Sequence, residues 1–296
     1  MRHLIRLLQR AAILALGAFA VWLIVFVIFR FAHQKLPLIL AFSATYLAAA
    51  YVVLPYGIRM GLKILHRKHV PRYTITGDGL PGDPINLALV GDLAQLRAAF
   101  AAAGWAGANR LDLKSSWGMV RAFVFNRPYP TAPFSPLYLF GRSHDIGFQQ
   151  AIGDSPRKRH HVRFWAKSLA QTQAEVTSAR FWLNKDRPDE NERVIWLGAA
   201  TRDTGFSLTQ MTFQITHATD SDTNAERAYI IGALTARGAI GDAILYKAGD
   251  HLPTKVNRYI TDGDVAMAEL AGERAGFGAP RIRVTKPPMS GTDNKS

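Results

Sequence analysis

The stretch SPRKRHHVRFW, Ser155–Trp165, packs six basic or titratable side chains into seven positions and then closes on aromatics. Three readings compete for it: a nucleic-acid grip, a catalytic histidine pair, or one face of a β-strand. Read with a period of two, Arg157, Arg159, His161, Arg163 and Trp165 point one way. Lys158, His160, Val162, Phe164 and Ala166 point the other. Such a strand packs Val162 and Phe164 inward and turns three arginines outward around His161. Like charges at that spacing disfavour the imidazolium form. Guanidinium forks match phosphate or carboxylate oxygens, so Arg157, Arg159, His161 and Arg163 are the expected anion-binding set. The rival account is a solvated face paired with acids such as Asp186, Asp189, Glu190 and Glu192. Catalysis by His161 is the third.

Charge weighs against nucleic acid. The chain of 296 residues carries a formal net charge of +14, but unevenly. Residues 1–72 hold ten Lys/Arg and no acid, whereas residues 73–296 hold 26 Lys/Arg against all 22 acids. The remainder of the chain is therefore only +4, and a nucleic-acid partner loses its main support. No cysteine is present, which excludes disulfides, a thiolate nucleophile and thiolate metal sites.

The basic N-terminal part contains two apolar runs. Ala11–Phe31, AAILALGAFAVWLIVFVIFRF, has one charge, Arg30, near its end. As a helix it spans roughly 31 Å, the thickness of a bilayer's hydrocarbon. A second run, Leu36–Tyr56, has no charge, and the short gap between them permits only a tight turn. Residues 1–72 are thus expected to form a two-pass transmembrane hairpin with helices over about 11–31 and 36–56. Arg2, Arg6 and Arg10 precede the first helix, and Arg59, Lys63, Arg67, Lys68 and Arg72 follow the second. The positive-inside bias predicts both termini in the cytoplasm of a bacterial inner membrane, with the basic run beside anionic headgroups. A signal peptide followed by a core helix is the alternative; the first run is longer than a usual signal core.

From about residue 73 to 275 the pattern is that of a globular domain, and 276–296 reads as a loose tail rich in Pro, Gly and Lys. PINLALVG (84–91) reads as a buried strand and DLAQLRAAFAAAGW as a helix capped by Asp92 and stopped at Gly104. KSSWGMVRAFVFN reads as a second helix, NRPYPTAPFSP as an extended loop, and LYLFGR and HDIGFQQAIG as strands. Further strands are expected at 180–183, 193–200, 240–247 and 265–270, with a helix over 223–236. The expected fold class is an α/β or α+β mixed-sheet cytoplasmic domain preceded by the α-helical hairpin.

A second chemical candidate is THATDSDTNAERAY, Thr216–Tyr229. His217, Asp220 and Asp222 supply nitrogen and carboxylate ligands suited to a divalent metal. The competing reading is helix initiation, with Thr223 and Glu226 as a capping box. GDSP (153–156) shares letters with one lipase nucleophile block, but no later D-x-x-H supplies a base, and a turn explains Ser155 better.

Together, DPINLALVG, NRPYPTAPFSPLYLFGR, SPRKRHHVRFW, WLGAATRDTG and THATDSDTNAER resemble the LssY C-terminal-like domain family over about Asp83 to Ala268. The resemblance implies little about mechanism. Some relatives join this domain to a membrane-embedded phosphatidic-acid-phosphatase-like region, so the resemblance points to lipid-phosphate or envelope biology. That region's motifs are missing: Lys114 to Arg121 copies the K-x6-R spacing, but Ala122 stands where a proline belongs. The leading expectation is a two-pass membrane protein whose domain binds phospholipid headgroups or another phosphate-bearing ligand at the bilayer. A metal-dependent phosphoester hydrolase using His217, Asp220 and Asp222, with His161 or His217 catalytic, is the alternative. A structural module of an envelope or secretion complex is the second alternative.

Overall fold

The computed structural model describes residues 2–65, 70–125, 127–153, 158–169, 187–208, 212, 215–247 and 259–272. Arg157, the strand expected at 180–183 and the tail lie outside them.

Two long helices come first. α1 covers Arg2–Trp22 and continues through a π-wound segment, Leu23–Phe29, to Arg30–Lys35. After Pro37, α2 covers Leu38–Ala48, a π-wound Ala49–Val53, and Leu54–Leu65. They pack as a hairpin, and the Gln9 amide donates to the Ile64 carbonyl at 2.9 Å. By length and composition both are long and apolar enough to cross a membrane. Their helical ends run several residues beyond the apolar runs.

The domain is built from α3 (Leu93–Ala102), α4 (Leu113–Val124), α5 (Thr223–Ala236) and two sheets. Short strands β1 (Tyr73–Ile75) and β2 (Pro81–Pro84) pair with β5 (Tyr138–Leu139) and β6 (Arg142–Ser143) in the order β2-β1-β5-β6. The larger sheet uses β3 (Leu87–Gly91), β4 (Ala106–Gly107), β7 (Ile146–Ala151), β8 (Arg159–Ser168) and β9 (Val194–Leu208). It also uses β10 (Ile215–Thr219), β11 (Ile244–Lys247) and β12 (Asp264–Glu269). Its order is β11-β12-β3-β9-β8-β7-β4, with β10 on β9; all pairings are antiparallel except β12 with β3. This is the expected mixed-sheet domain.

Several local expectations hold. Asp92 caps α3, taking the Gln95 amide at 2.8 Å while the Gln95 side chain takes the Asp92 amide, and Gly104 follows with φ +80°. The helix over 223–236 has the expected limits. The strand expected at 240–247 begins only at Ile244, after an isolated bridge of Ile240 to Leu270.

The sheet is covered on both faces. On one, Leu87, Leu89, Val162, Phe164 and Ala200 pack against Leu96 and Phe100 of α3 and Ile230 and Leu234 of α5. On the other, Trp165, Ala88, Leu197 and Ala199 pack against Ile85, Leu137 and Leu139 from the smaller sheet and its flanks. Sandwiching the sheet between two layers decides the chemistry of β8, because neither of its faces is left to solvent.

The domain also sits directly on the end of α2. Gly141 has φ +74°, and a Cβ there would lie 2.6 Å from Lys63 Cγ and 3.2 Å from the Arg59 carbonyl. The β5–β6 turn therefore touches helix backbone, with glycine permitting both the conformation and the approach.

Candidate functional site

β8 alternates as its sequence predicts, but the arginine face is not solvated. Arg159 and Arg163 are each 5 % exposed and His161 is 1 % exposed. The expectation of an outward basic face is corrected here, for the physical reason just given. The acids are also different. Arg159 Nε donates to Asp203 Oδ2 at 2.8 Å, and Arg163 Nη1 donates to Asp83 Oδ2 at 2.8 Å. Asp83 ends the Pro81–Pro84 strand and Asp203 sits in β9 opposite Arg159, so the local surplus of cations is cancelled within the fold. Glu192, among the expected partners, instead accepts from Ser168 Oγ at 2.6 Å.

His161 links the two pairs. Arg163 has only donors to offer, so its 2.6 Å contact with His161 Nε2 makes that nitrogen the acceptor. Nδ1 then carries the proton and faces Asp203 Oδ1 at 3.2 Å. Thr201 Oγ1 lies 3.0 Å from Nε2, and the Tyr259 hydroxyl donates to Asp83 Oδ1 at 2.8 Å. Phe134, from the proline-rich loop, roofs the row. Its ring centre lies 5.0 Å from the Arg159 guanidinium carbon, 4.8 Å from that of Arg163 and 5.2 Å from the His161 ring.

The electrostatics follow from this packing. Burial raises the Asp83 carboxyl, but the Arg163 charge and the Tyr259 hydroxyl hold it below its ordinary value. Burial and then the Asp83 charge push the Tyr259 phenol well up. Burial lowers Arg159 despite the opposing pull of Asp203. His144 is pushed down to about 3, chiefly by burial and then by the charges of Arg163 and Arg187. An anion reaching Arg159 or Arg163 would have to displace a carboxylate already held there.

The opposite face of β8 carries a histidine in a different setting. His160 Nδ1 lies 2.7 Å from Glu226 Oε2 of α5, and its ring stacks on Tyr229 with centroids 4.1 Å apart. Glu226 is thus spent on His160 rather than on a capping box. A carboxylate only accepts, so the pairing places a proton on Nδ1. The histidine doublet hides this asymmetry: one ring bridges two arginine–aspartate pairs, its neighbour pairs with a glutamate.

The third segment behaves largely as a helix start. Asp222 caps α5, accepting from the Asn224 and Ala225 amides at 3.1 and 2.9 Å, and Asp220 accepts the Asp222 amide at 3.1 Å. The expected cap is therefore moved by one residue, from Thr223 to Asp222. His217 pairs with Phe206 in β10, and its side chain lies outside the described residues. On β9, Thr201 and Phe206 are the partners of His161 and His217, five residues and roughly 17 Å apart. The two histidines are not brought together along the sheet. Among the described residues no group of three or more His, Asp and Glu is arranged to hold a metal.

The first cation of the basic run that follows the second apolar segment lies at the helix junction. The Arg59 guanidinium carbon sits 5.3 Å from the Tyr56 ring centre and 5.9 Å from that of Tyr138. No carboxylate among the described residues pairs with it, and its Nε is buried without a hydrogen-bond partner.

The family model described as "LssY C-terminus" matches residues 67–265. No curated protein and no solved structure matches the chain.

Proposed function

Because the chain belongs to the LssY C-terminus family and carries two helices able to cross a membrane, we propose that it is a two-pass inner-membrane protein, with both termini cytoplasmic, whose domain binds an anionic, phosphate-bearing partner at the headgroup surface. The observation that carries this reading is Arg59. It stands just past the end of the uncharged run Leu36–Tyr56, between two tyrosine rings, with no described acid to neutralise it. Tyrosines at that level suit a membrane interface, and a guanidinium between them with no described carboxylate on it suits a phosphate oxygen. The basic flanks of both helices support the orientation. The anion-binding role thereby passes from Arg159, His161 and Arg163, which are occupied, to the junction of helix and domain.

The test is lipid binding by the purified full chain in neutral detergent, read as thermal stabilisation on titrating phosphatidylglycerol against phosphatidylcholine. Wild type is expected to prefer the anionic lipid, and Arg59→Gln to weaken that preference about fivefold, on the order of 1 kcal/mol for one cation near the surface. An unchanged preference in the variant would remove Arg59 from the account.

A further inference from the structure

We propose that helix α4 lies in the headgroup region of the bilayer, with Trp117, Val120 and Val124 immersed and Lys114 and Arg121 on anionic lipid. The inference rests on the membrane-spanning reading of α1 and α2, which holds the domain at the bilayer. Three observations carry it.

The first is that α4 is built inside out. Its face toward the protein carries small residues at 115, 118 and 122. Ser115 and Ala122 are buried, and a Cβ on Gly118 would lie 3.2 Å from the Tyr129 ring. Trp117, Val120 and Val124 follow the i, i+3, i+7 spacing of one helical stripe, and each is between 47 and 64 % exposed. Among the described residues, neither core layer includes one from α4. A surface helix that packs on its own fold turns its apolar stripe inward. Here the stripe faces away, and Leu111 and Phe125, beside the two ends of the helix, are exposed as well. A patch of this kind marks a surface that something apolar covers.

The second is charge, and it decides what covers the stripe. Residues 105–135 carry Arg110, Lys114, Arg121 and Arg127 against Asp112 alone, a surplus of +3 where the whole of 73–296 has +4. All four cations are exposed, and Asp112 is engaged as the cap of α4, accepting the Ser115 amide at 2.7 Å. Lys114 and Arg121, seven residues apart, share one line along the helix beside the apolar stripe. A tryptophan-bearing stripe with a basic rim fits an anionic membrane surface, where apolar side chains enter the acyl boundary and cations meet phosphates. A second copy of this chain packed face to face would set the same cations against each other.

The third is reach. Tyr129 packs on Gly118, and nine residues later Tyr138 lies against Arg59 at the foot of α2. Nine extended residues span about 30 Å at most, so α4 is held within that distance of the end of the hairpin.

The absence of cysteine makes the test direct. Val120→Cys, labelled with an environment-sensitive fluorophore, would be placed in the full chain in phosphatidylcholine/phosphatidylglycerol nanodiscs. Ile39→Cys, an exposed position of α2, serves as the bilayer reference and Asp189→Cys, an exposed loop position, as the water reference. Lipids bearing a nitroxide high on the acyl chain are expected to quench the labels at 120 and 39, while iodide quenches only 189. Lys114→Gln combined with Arg121→Gln should shift the label at 120 toward iodide, roughly fivefold per cation removed. Lipid quenching at 120 that survives the double variant unchanged would overturn the role given to the two cations. Iodide quenching at 120 with lipid quenching at 39 would overturn the interfacial helix and leave the spans standing. Iodide quenching at both would overturn both. A label at 120 reached by neither quencher would assign the stripe to a protein partner and overturn the inference as well.

Discussion

Asp203→Ala is expected to destabilise the domain by about 3–5 kcal/mol, because it removes the carboxylate that balances the charge of the buried Arg159 guanidinium. Asp203 is fully buried, so its loss leaves a buried guanidinium without its balancing charge. The measure is denaturant unfolding of the full chain in detergent micelles, followed through the buried Trp165 and Trp196. A surface pair gives the comparison. Glu269 and Arg193 are both more than half exposed, and Glu269→Ala is expected to cost well under about 1 kcal/mol. If Asp203→Ala cost no more than Glu269→Ala, the neutralised row would not be holding the two layers together.

Acid should unfold the domain earlier than its carboxylates alone require, and His144 is the reason. Its folded-state value is pushed down to about 3, well under the ordinary value near 6.5. The folded chain therefore binds fewer protons than the unfolded one between these limits, and stability falls as pH drops through that window. By pH 5 the loss from this one ring is up to about 2 kcal/mol, with partial exposure of the ring holding it below that ceiling. Asp83 acts in the same direction but lower, since its depressed carboxyl stabilises the fold above its unfolded value near 4 and is lost beneath it. The His144 effect is thus separated from that of Asp83 between pH 6.5 and 5. His144→Gln should flatten the pH dependence of the melting temperature over that range; an unchanged slope would assign the acid sensitivity elsewhere.

The contrast between these buried groups and their appearance in the sequence is instructive. The period-two split of Arg159–Ala166, the Asp92 cap and the limits of α5 are local, and local chemistry made them legible. The destination of the arginine face was not local. Its acids lie 80 residues upstream of Arg163 and 44 residues downstream of Arg159. Alternation shows which residues share a face, yet nothing in it tells whether a second layer covers that face. One signal did point to burial: Trp165 shares the arginines' side and is fully buried there. A large aromatic on a supposedly wet face argues for a covering layer. Likewise Asp203, the acid within WLGAATRDTG, stands in a strand too apolar to face water. Glu226 illustrates the converse, since a capping-box spacing predicted a local bond and a long-range histidine took the carboxylate.

The functional reading depends on which arginine is left to meet an anion. Arg159 and Arg163 have carboxylate partners, whereas Arg59 has two aromatic rings and sits at the foot of the second helix. The most direct test is nuclear magnetic resonance of the full chain in lipid nanodiscs, with the histidine rings and arginine Nε groups isotopically labelled. Phosphatidylglycerol would be titrated into a phosphatidylcholine background. The account predicts that the Arg59 Nε–H resonance moves with the anionic lipid while the His161 ring stays unchanged. A His161 resonance that follows the lipid while Arg59 is silent would contradict it, and would return the binding site to the basic strand.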